Sequence, residues 1–426
     1  MKTALIVSRS FPYSAQRVHG IYQRLGAQVE ALGKVVDRVD CLFLVPADED
    51  CTPAVVREHE ARLRRLWSPA ISLRLEPTIV DEVPQGRWQR IGQGVFDFHA
   101  QLLARATSSR ESVSAVSAAL DARPDIVLVH RLDSMSAFLK IARQTPGKLQ
   151  GPRIFFDMDD IEHVTSFRRL LHDPAWPAQR LLLLQLPALM LAEIRAVHLA
   201  AATFVCSESD RTSLARLAHG ARVLTVANSV PFPPLLEADV SEPLVLFVGT
   251  MGYRPNAQAA DSLVQQIWPL VRARVPEARL AIVGPGPERT ASFHAAQAGV
   301  TFTGFVDDLG SWYRRARVVC CPIYHGGGTR VKIIEAASHA KAIVATHLGA
   351  EGLTFADGRE IILRDTAAAL AAACVDLLGN PSAAARIGRT ALHKARAIYE
   401  RTAVVEHLAA IFREGCTGGV RHGVPA

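Results

Sequence analysis

The feature that most constrains this chain is a repeated alternation of short, continuously apolar runs with helical stretches, sustained from end to end. In the first half the runs are Ala4–Val7, Cys41–Val45, Ile126–Val129, Ile154–Phe156, Thr203–Cys206 and Val223–Val226. Unbroken apolarity, rather than strict alternation, is what parallel strands covered on both faces require. Pro231-Phe232-Pro233-Pro234 and the acidic residues up to Pro243 then interrupt the pattern as a linker. A second series follows at once, with strands expected at Leu244–Val248, Leu280–Val283, Val300–Thr303, Val318–Cys321, Ile343–Ala345 and Ile361–Leu363. Helices are expected between them, among them Pro255–Val271 and Thr329–Ala340. Two such series predict an α/β chain of two doubly wound, Rossmann-like domains facing across a cleft. The boundaries read as 1–235, 236–398 and a tail, 399–426, able to pack back on the first domain, with its last Gly-rich residues frayed.

A chain of 426 residues, 49% hydrophobic and 21% charged, is long enough for two cores and is not generally disordered. Aromatic residues make up 6%, which argues against a base-stacking surface, so nucleic acid is not an expected partner. The net charge of +7 is dispersed, with no run of five like charges. It predicts weak attraction to anionic substrates or anionic membrane. The seven Cys show no C-x-x-C spacing and several sit in apolar runs such as Val318–Cys321, which fits a reducing cytoplasm. Met1 to Tyr13 holds too short an apolar run for a signal peptide. Leu181–Ala192, interrupted by Gln185 and Pro187, falls short of the roughly twenty residues that cross a bilayer, and reads as a buried helix rather than a membrane-dipping segment.

The densest chemical signal runs from Pro322 to Ala336, where a strand ends, Gly326, Gly327 and Gly328 follow, and a helix begins with Thr329 as its expected N-cap. Glycines let a ligand approach the backbone closely, and the free amides of a helix N-terminus favour phosphate. Arg330 and Lys332 fall in the expected first turn, where cations oppose the helix dipole by roughly 0.3–1 kcal/mol each. An anion against the loop would resolve that conflict. The bland alternative is a Lys332–Glu335 surface pair, at i,i+3 spacing, behind a flexible turn. The P-loop pattern is absent.

This segment resembles the nucleotide-sugar signature of family 4 (group 1) retaining glycosyltransferases of GT-B fold. Flanking blocks resemble that family's in order: Phe247–Met251 with Pro255-Asn256, Ile282–Gly286, Thr303–Val306 and Gly349–Leu353. Upstream, Val205–Asp210 and Ala227–Val230 match the blocks before the linker, so the resemblance spans roughly residues 120 to 400. It implies that Glu335 binds the donor ribose, that Arg330 and Lys332 face the diphosphate, and that backbone at Phe305 and Val306 holds the base. It further implies a donor-binding cradle of Gly249, Gly326, Gly327, Gly328 and Thr329, with Arg254 as a weaker phosphate ligand. His130, at the end of a first-domain strand, matches an active-site histidine facing the donor sugar; its plainer reading is a capped strand-end residue.

Two departures stand out. The second Glu that many members carry eight positions before the ribose-binding one is Gly327 here, in a Gly-rich form that a branch of the family shares. The usual glycine pair of the first loop is replaced by Ser10-Phe11-Pro12-Tyr13. Asp157-Met158-Asp159-Asp160 mimics a metal-binding D-x-D, but paired carboxylates for Mg²⁺ belong beside phosphates, and it reads better as an acceptor-side strand end. Asp307-Asp308 reads as a helix cap, and His339 and His347 as isolated histidines.

The resemblance thus implies retaining transfer of a sugar from a nucleotide diphosphate sugar to a glycan or lipid-linked glycan, in bacterial surface or exported polysaccharide synthesis. No metal or other cofactor is expected. The implied location is cytoplasmic, at the inner face of the plasma membrane, with peripheral contact. The alternatives are a GT-B-fold nucleotide-sugar epimerase or phosphorylase, against which the ordered blocks argue, and a catalytically silent nucleotide-sugar-binding protein.

Overall fold

The computed structural model describes residues 1–13, 20–80, 86–171, 179–234, 241–295 and 297–417. Linker residues 235–240 and the Gly-rich end, 418–426, lie outside the described residues. The chain divides into two compact units, one of residues 1–227 together with the chain from Val404 onward, the other of residues 228–403. These divisions fall at 227/228 and 403/404 rather than at 235/236 and 398/399. The difference has a local cause: Val230 and Glu400 form a parallel bridge, with Val230 N–H donating to Tyr399 O at 3.1 Å and Arg401 N–H to Val230 O at 3.2 Å. The entering and leaving strands of the second unit are thereby tied side by side.

In the first unit β1 (Thr3–Ser8), β2 (Arg38–Pro46), β3 (Ile71–Thr78), β4 (Ile126–His130), β5 (Arg153–Asp159), β6 (Ala202–Val205) and β7 (Val223–Thr225) form one parallel sheet in the order β3-β2-β1-β4-β5-β6-β7. Successive strand residues feed two separate cores. Ala4, Ile6, Phe43, Leu128 and Phe155 go to one face, and Leu5, Val7, Leu42, Val129 and Phe156 to the other. This two-sided burial is the physical origin of the unbroken apolar runs. β3 escaped the sequence reading because, at the sheet edge, it alternates: Ile71, Leu73 and Leu75 are buried while Arg74 is exposed. The helix Arg401–Thr417 inserts Val405, Leu408 and Phe412 into the first core, the Phe412 ring lying edge-on to Phe155 at 5.1 Å.

In the second unit β8 (Leu244–Val248), β9 (Arg279–Val283), β10 (Val300–Gly304), β11 (Val318–Cys321), β12 (Ala342–Ala345) and β13 (Ile362–Leu363) form a parallel sheet ordered β10-β9-β8-β11-β12-β13. Two expected helices need correction. Pro255–Val271 is helix Arg254–Ser262, a π-helical turn over Leu263–Ile267, and helix Trp268–Arg272. Pro269, which has no N–H to donate to the ladder, sits just beyond the wide turn. Thr329–Ala340 contracts to Val331–Ser338, for a reason given below.

Leu181–Ala192 also differs from its expectation as a buried helix. It splits into a 3₁₀ segment, Arg180–Gln185, and the helix Leu186–Leu199, with Pro187 in the first turn. Only Leu189 and Ala192 of the expected stretch are buried, while Leu184 and Leu191 are about half exposed at 55% and 46%.

Candidate functional site

In a doubly wound sheet, ligands settle outside the carboxyl ends of the strands where the winding reverses. In the second unit that point lies between β8 and β11, which are sheet neighbours although β8 runs on to β9 and β11 to β12. Two loops diverge there: Gly249–Tyr253 after β8, and Pro322–Arg330, with its glycines, after β11. They interlock. Gly326 has φ +111°, and a Cβ on it would lie 3.0 Å from Tyr253 Oη and 3.4 Å from Arg330 Nη2. Gly249 is equally constrained, since a Cβ would sit 2.8 Å from Asn256 Nδ2 and 2.9 Å from Lys332 Nζ. Gly284, ending β9, has φ +139°, and its Cβ would meet Gly249 O at 1.9 Å. Because that obstacle is backbone, Gly284→Ala is expected to cost at least about 3 kcal/mol. Differential scanning calorimetry should show a transition lowered by roughly 6–12 °C, and an unchanged transition would mean the loops tolerate the displacement.

Lys332 and Arg330 come together at this point. Lys332 Nζ donates to Asn256 Oδ1 at 2.6 Å and lies 4.4 Å above the Phe247 ring. Burial, reinforced by Arg330, lowers its pKa to about 8. Arg330 is 8% exposed, and its Nη1 donates to the carbonyls of Gly327 and Gly328. Its Nε and Nη2 are buried with no hydrogen-bond partner. Neither cation has a carboxylate within ion-pair distance among the described residues. Glu335 acts on Lys332 only from beyond ion-pair distance, and two enclosed cations without an ion-paired carboxylate are costly, so this is a place prepared for negative charge.

The cap of the following helix corrects the sequence reading. Arg330, in extended conformation, holds the cap position with no side-chain cap bond, and the helix starts at Val331. The Thr329 hydroxyl instead accepts from Asn228 Nδ2 at 2.7 Å. Nor do Lys332 and Glu335 turn to each other for hydrogen bonds: Lys332 uses Asn256, and Glu335 accepts from Tyr313 Oη at 3.2 Å. Tyr313 is buried and stacks on His339 at 4.8 Å, so Glu335 has a fixed support. Phe305 and Val306 follow β10 at the same carboxyl edge, two strands from β8, with Phe305 40% exposed. Arg254 opens the helix after the first loop.

His130 belongs to the first unit, where the winding reverses between β1 and β4. It is fully buried, with Nδ1 2.9 Å from Ser8 Oγ at the end of β1. Its Nε2 has no hydrogen-bond partner and stands 3.8 Å from Asp157 Oδ2. Burial lowers the imidazole pKa against the pull of Asp157, which favours the neutral ring. Beneath it Arg24 grips Asp157 through Nε at 2.9 Å and Nη2 at 2.6 Å, donates from Nη1 to Val226 O at 2.7 Å, and lies 3.7 Å from Asp159. Arg131 and Asp159 both adopt left-handed backbone, at φ +68° and +60°, a strained state typical of sites held by their surroundings. The carboxylate pair of the D-x-D mimic is therefore occupied by an arginine. Burial alone would raise the Asp159 pKa, but Arg131 and Arg24 hold it below the usual value.

Ser8, Arg24, Asn256 and Tyr313 were not singled out for these roles from the sequence. Their partners lie 122, 133, 76 and 22 positions away, so no local pattern could reveal them. Asp308 does cap its helix, accepting from Ser311 N–H at 3.0 Å, and His347 pairs with Asp365 at 2.8 Å. Among the described residues, no cluster of three or more His, Cys, Asp or Glu is placed to hold a metal ion.

Residues 242–380 match the family described as Glycosyl transferases group 1. No curated protein sequence matches the chain. Among solved structures it is similar to sucrose-phosphate synthase from Thermosynechococcus elongatus, with a TM-score of 0.68 and 16% identity, over 97% of this chain and 99% of that one. HepE from Anabaena, in complex with UDP and glucose, gives a TM-score of 0.62 and 11% identity over 97% and 100% of the two chains. The pneumococcal O-GlcNAc transferase GtfA, in complex with UDP and GlcNAc, gives 0.66 and 10% over 98% and 99%. At these identities the likeness speaks to the fold, which is GT-B over nearly the whole length.

Proposed function

We propose that the chain is a retaining group 1 glycosyltransferase that moves a sugar from a nucleotide diphosphate sugar to a glycan or lipid-linked glycan. One observation carries the reading: two enclosed cations, one with two unpartnered donor nitrogens, at the carboxyl edge of β8 and β11 beside a braced Glu335. The family match over 242–380 covers this site. In the proposed reaction the diphosphate leaves with growing negative charge, which Arg330, Lys332 and the amides opening helix Val331–Ser338 stabilise. Glu335 accepts the ribose hydroxyls, Tyr313 fixing its carboxylate, and backbone at Phe305 and Val306 receives the base. The acceptor proton passes to the leaving phosphate oxygen, so no protein base and no metal are required. Neutral His130 is assigned to the donor sugar, with Ser8 setting which ring nitrogen is free. Gly249, Gly326, Gly327, Gly328 and Thr329 form the donor cradle, and Arg254 adds a cation at its edge.

That HepE and GtfA were solved with UDP supports a uridine donor as the first to try. The TarM complex with fondaparinux and UDP supports a glycan-type acceptor. The reading places the enzyme at the cytoplasmic face of the plasma membrane in polysaccharide assembly. Calorimetric titration with UDP-, GDP- and ADP-sugars should show binding to one nucleotide class, weakened at least about tenfold in Glu335→Ala. Binding to none of them would overturn the proposal. Gly327 favours a second reading, a silent nucleotide-sugar binder, because that position lacks the carboxylate many members place near the transferred sugar. Binding without turnover across acceptor extracts would select it.

A further inference from the structure

One face of the first unit is neither core nor part of the strand-end site. Helix Arg87–Phe96, the turn Phe98–Ala100, helix Glu162–Leu171, the 3₁₀ segment Arg180–Gln185 and helix Leu186–Leu199 pack against one another. They present Trp88, Phe96, Phe167, Leu184 and Leu191 to solvent, together with Leu102 just beyond the turn, at exposures of 45% to 91%. Three of these flank one latch in sequence: Gln101 Nε2 donates to Gly94 O at 2.8 Å and Gln185 O at 2.9 Å, and Gln185 Nε2 donates to Ile91 O at 3.2 Å. Phe96, Leu102 and Leu184 lie within two residues of the atoms so joined. Apolar side chains gathered this way on a fixed scaffold signal an interaction surface.

The charges on these five elements say what kind. Arg90, Arg169, Arg180 and Arg195 are exposed, and Arg90, Arg180 and Arg195 have no ion-pair partner among the described residues. Of the carboxylates, Glu162 is bound by Arg131 at 3.0 Å and Glu193, 1% exposed, accepts from His163. Asp97, exposed, caps the turn Phe98–Ala100 by accepting from His99 N–H at 2.9 Å, so the unpaired charge of the face stays positive. A second copy on this face would bring like-charged arginines together across a two-fold axis. An anionic bilayer satisfies both components, since aromatic and leucine side chains enter the acyl boundary while arginines reach the headgroups. Residues Arg180–Leu199 are long and apolar enough to pass for a span by length and composition. Yet Leu189, Ala192, Ala196 and Val197 are buried in the second core of the unit, so the segment lies on the surface of a packed fold.

We propose that this face docks the protein on an anionic lipid surface, with Trp88, Phe96, Leu102, Leu184 and Leu191 inserted and Arg90, Arg180 and Arg195 at the headgroups. This deepens the peripheral placement given above and needs no donor to test, so its failure leaves the sugar-transfer reading standing. The full chain is floated with vesicles of phosphatidylcholine alone and with vesicles containing about 40% phosphatidylglycerol. Binding is expected only to the anionic vesicles, weakened by salt. Phe96→Asp with Leu184→Asp should lower the partition coefficient at least about tenfold, and Arg180→Glu with Arg195→Glu should do the same and remove the salt dependence. Both pairs are exposed, so the unfolding midpoint should hold. Absence of flotation with anionic vesicles, flotation unchanged in both double variants, or a wild-type dimer that both variants dissolve would each overturn the proposal.

Discussion

Replacing Lys332 by Met should lower kcat/KM of the proposed transferase by about 10²–10³-fold, the usual cost of removing one preorganised charge from a transition state. The fold should survive. Met fills nearly the same volume over the Phe247 ring, and it removes an ammonium that burial penalises. Met also leaves Asn256 Oδ1 without its donor, at about 1–3 kcal/mol, which offsets the relief of the buried charge. The thermal midpoint should therefore shift little while activity falls, which separates a functional charge from a structural one. The pH dependence gives a second check. Lys332 is lowered to about 8 in the folded chain from 10.5. Below about 8 the ammonium is charged in both states, and its burial costs stability. Between about 8 and 10.5 the unfolded chain binds a proton that the folded chain has shed, so this group's contribution to stability rises with pH. Nucleotide affinity should fall over the same interval as the cation is lost. A Met variant lacks both trends, and activity within tenfold of wild type would remove Lys332 from the diphosphate.

Arg24→Met should be the most damaging single change in the first unit, at about 3–5 kcal/mol, because it orphans Asp157 in a site with no solvent access. It also strips Val226 O of its donor. Adding Asp157→Asn should recover much of the loss, since the penalty lies in the uncompensated carboxylate rather than in a missing attraction. Urea unfolding of the two singles and the double closes the cycle. A single-variant cost under about 1 kcal/mol would mean that the pair carries little of the unit's stability.

These two residues mark how far the sequence could be read. Lys332 stood in a recognisable glycine-rich segment and drew notice at once. Arg24 sits in a helix whose neighbours announce nothing, and its partner is 133 positions away. Strands were legible wherever both faces are buried, because an unbroken apolar run leaves few other folds. β3 was lost at the edge, where one-sided burial produces alternation instead. The boundary of helix Val331–Ser338 was misplaced for a similar reason: Thr329 has the chemistry of a cap, but a hydrogen bond from Asn228 engages its hydroxyl. The composition of Leu181–Ala192 predicts a buried helix, but composition cannot say which side of a helix the core takes.

The way the chain threads the two units has a consequence for its synthesis. Residues 228–403 are contiguous, so the second unit can complete its fold as soon as it leaves the ribosome. The first unit cannot. Its sheet emerges early, but Phe155 and Phe204 await Phe412, which arrives more than two hundred residues later. Throughout that interval the part of one sheet face around Phe155 and Phe204 lacks its cover, although Leu25, Val29 and Leu63 already pack elsewhere on it, and truncation before Val404 leaves that part bare permanently. A nascent chain of this design is most exposed to chaperones and proteases in the half that is made first.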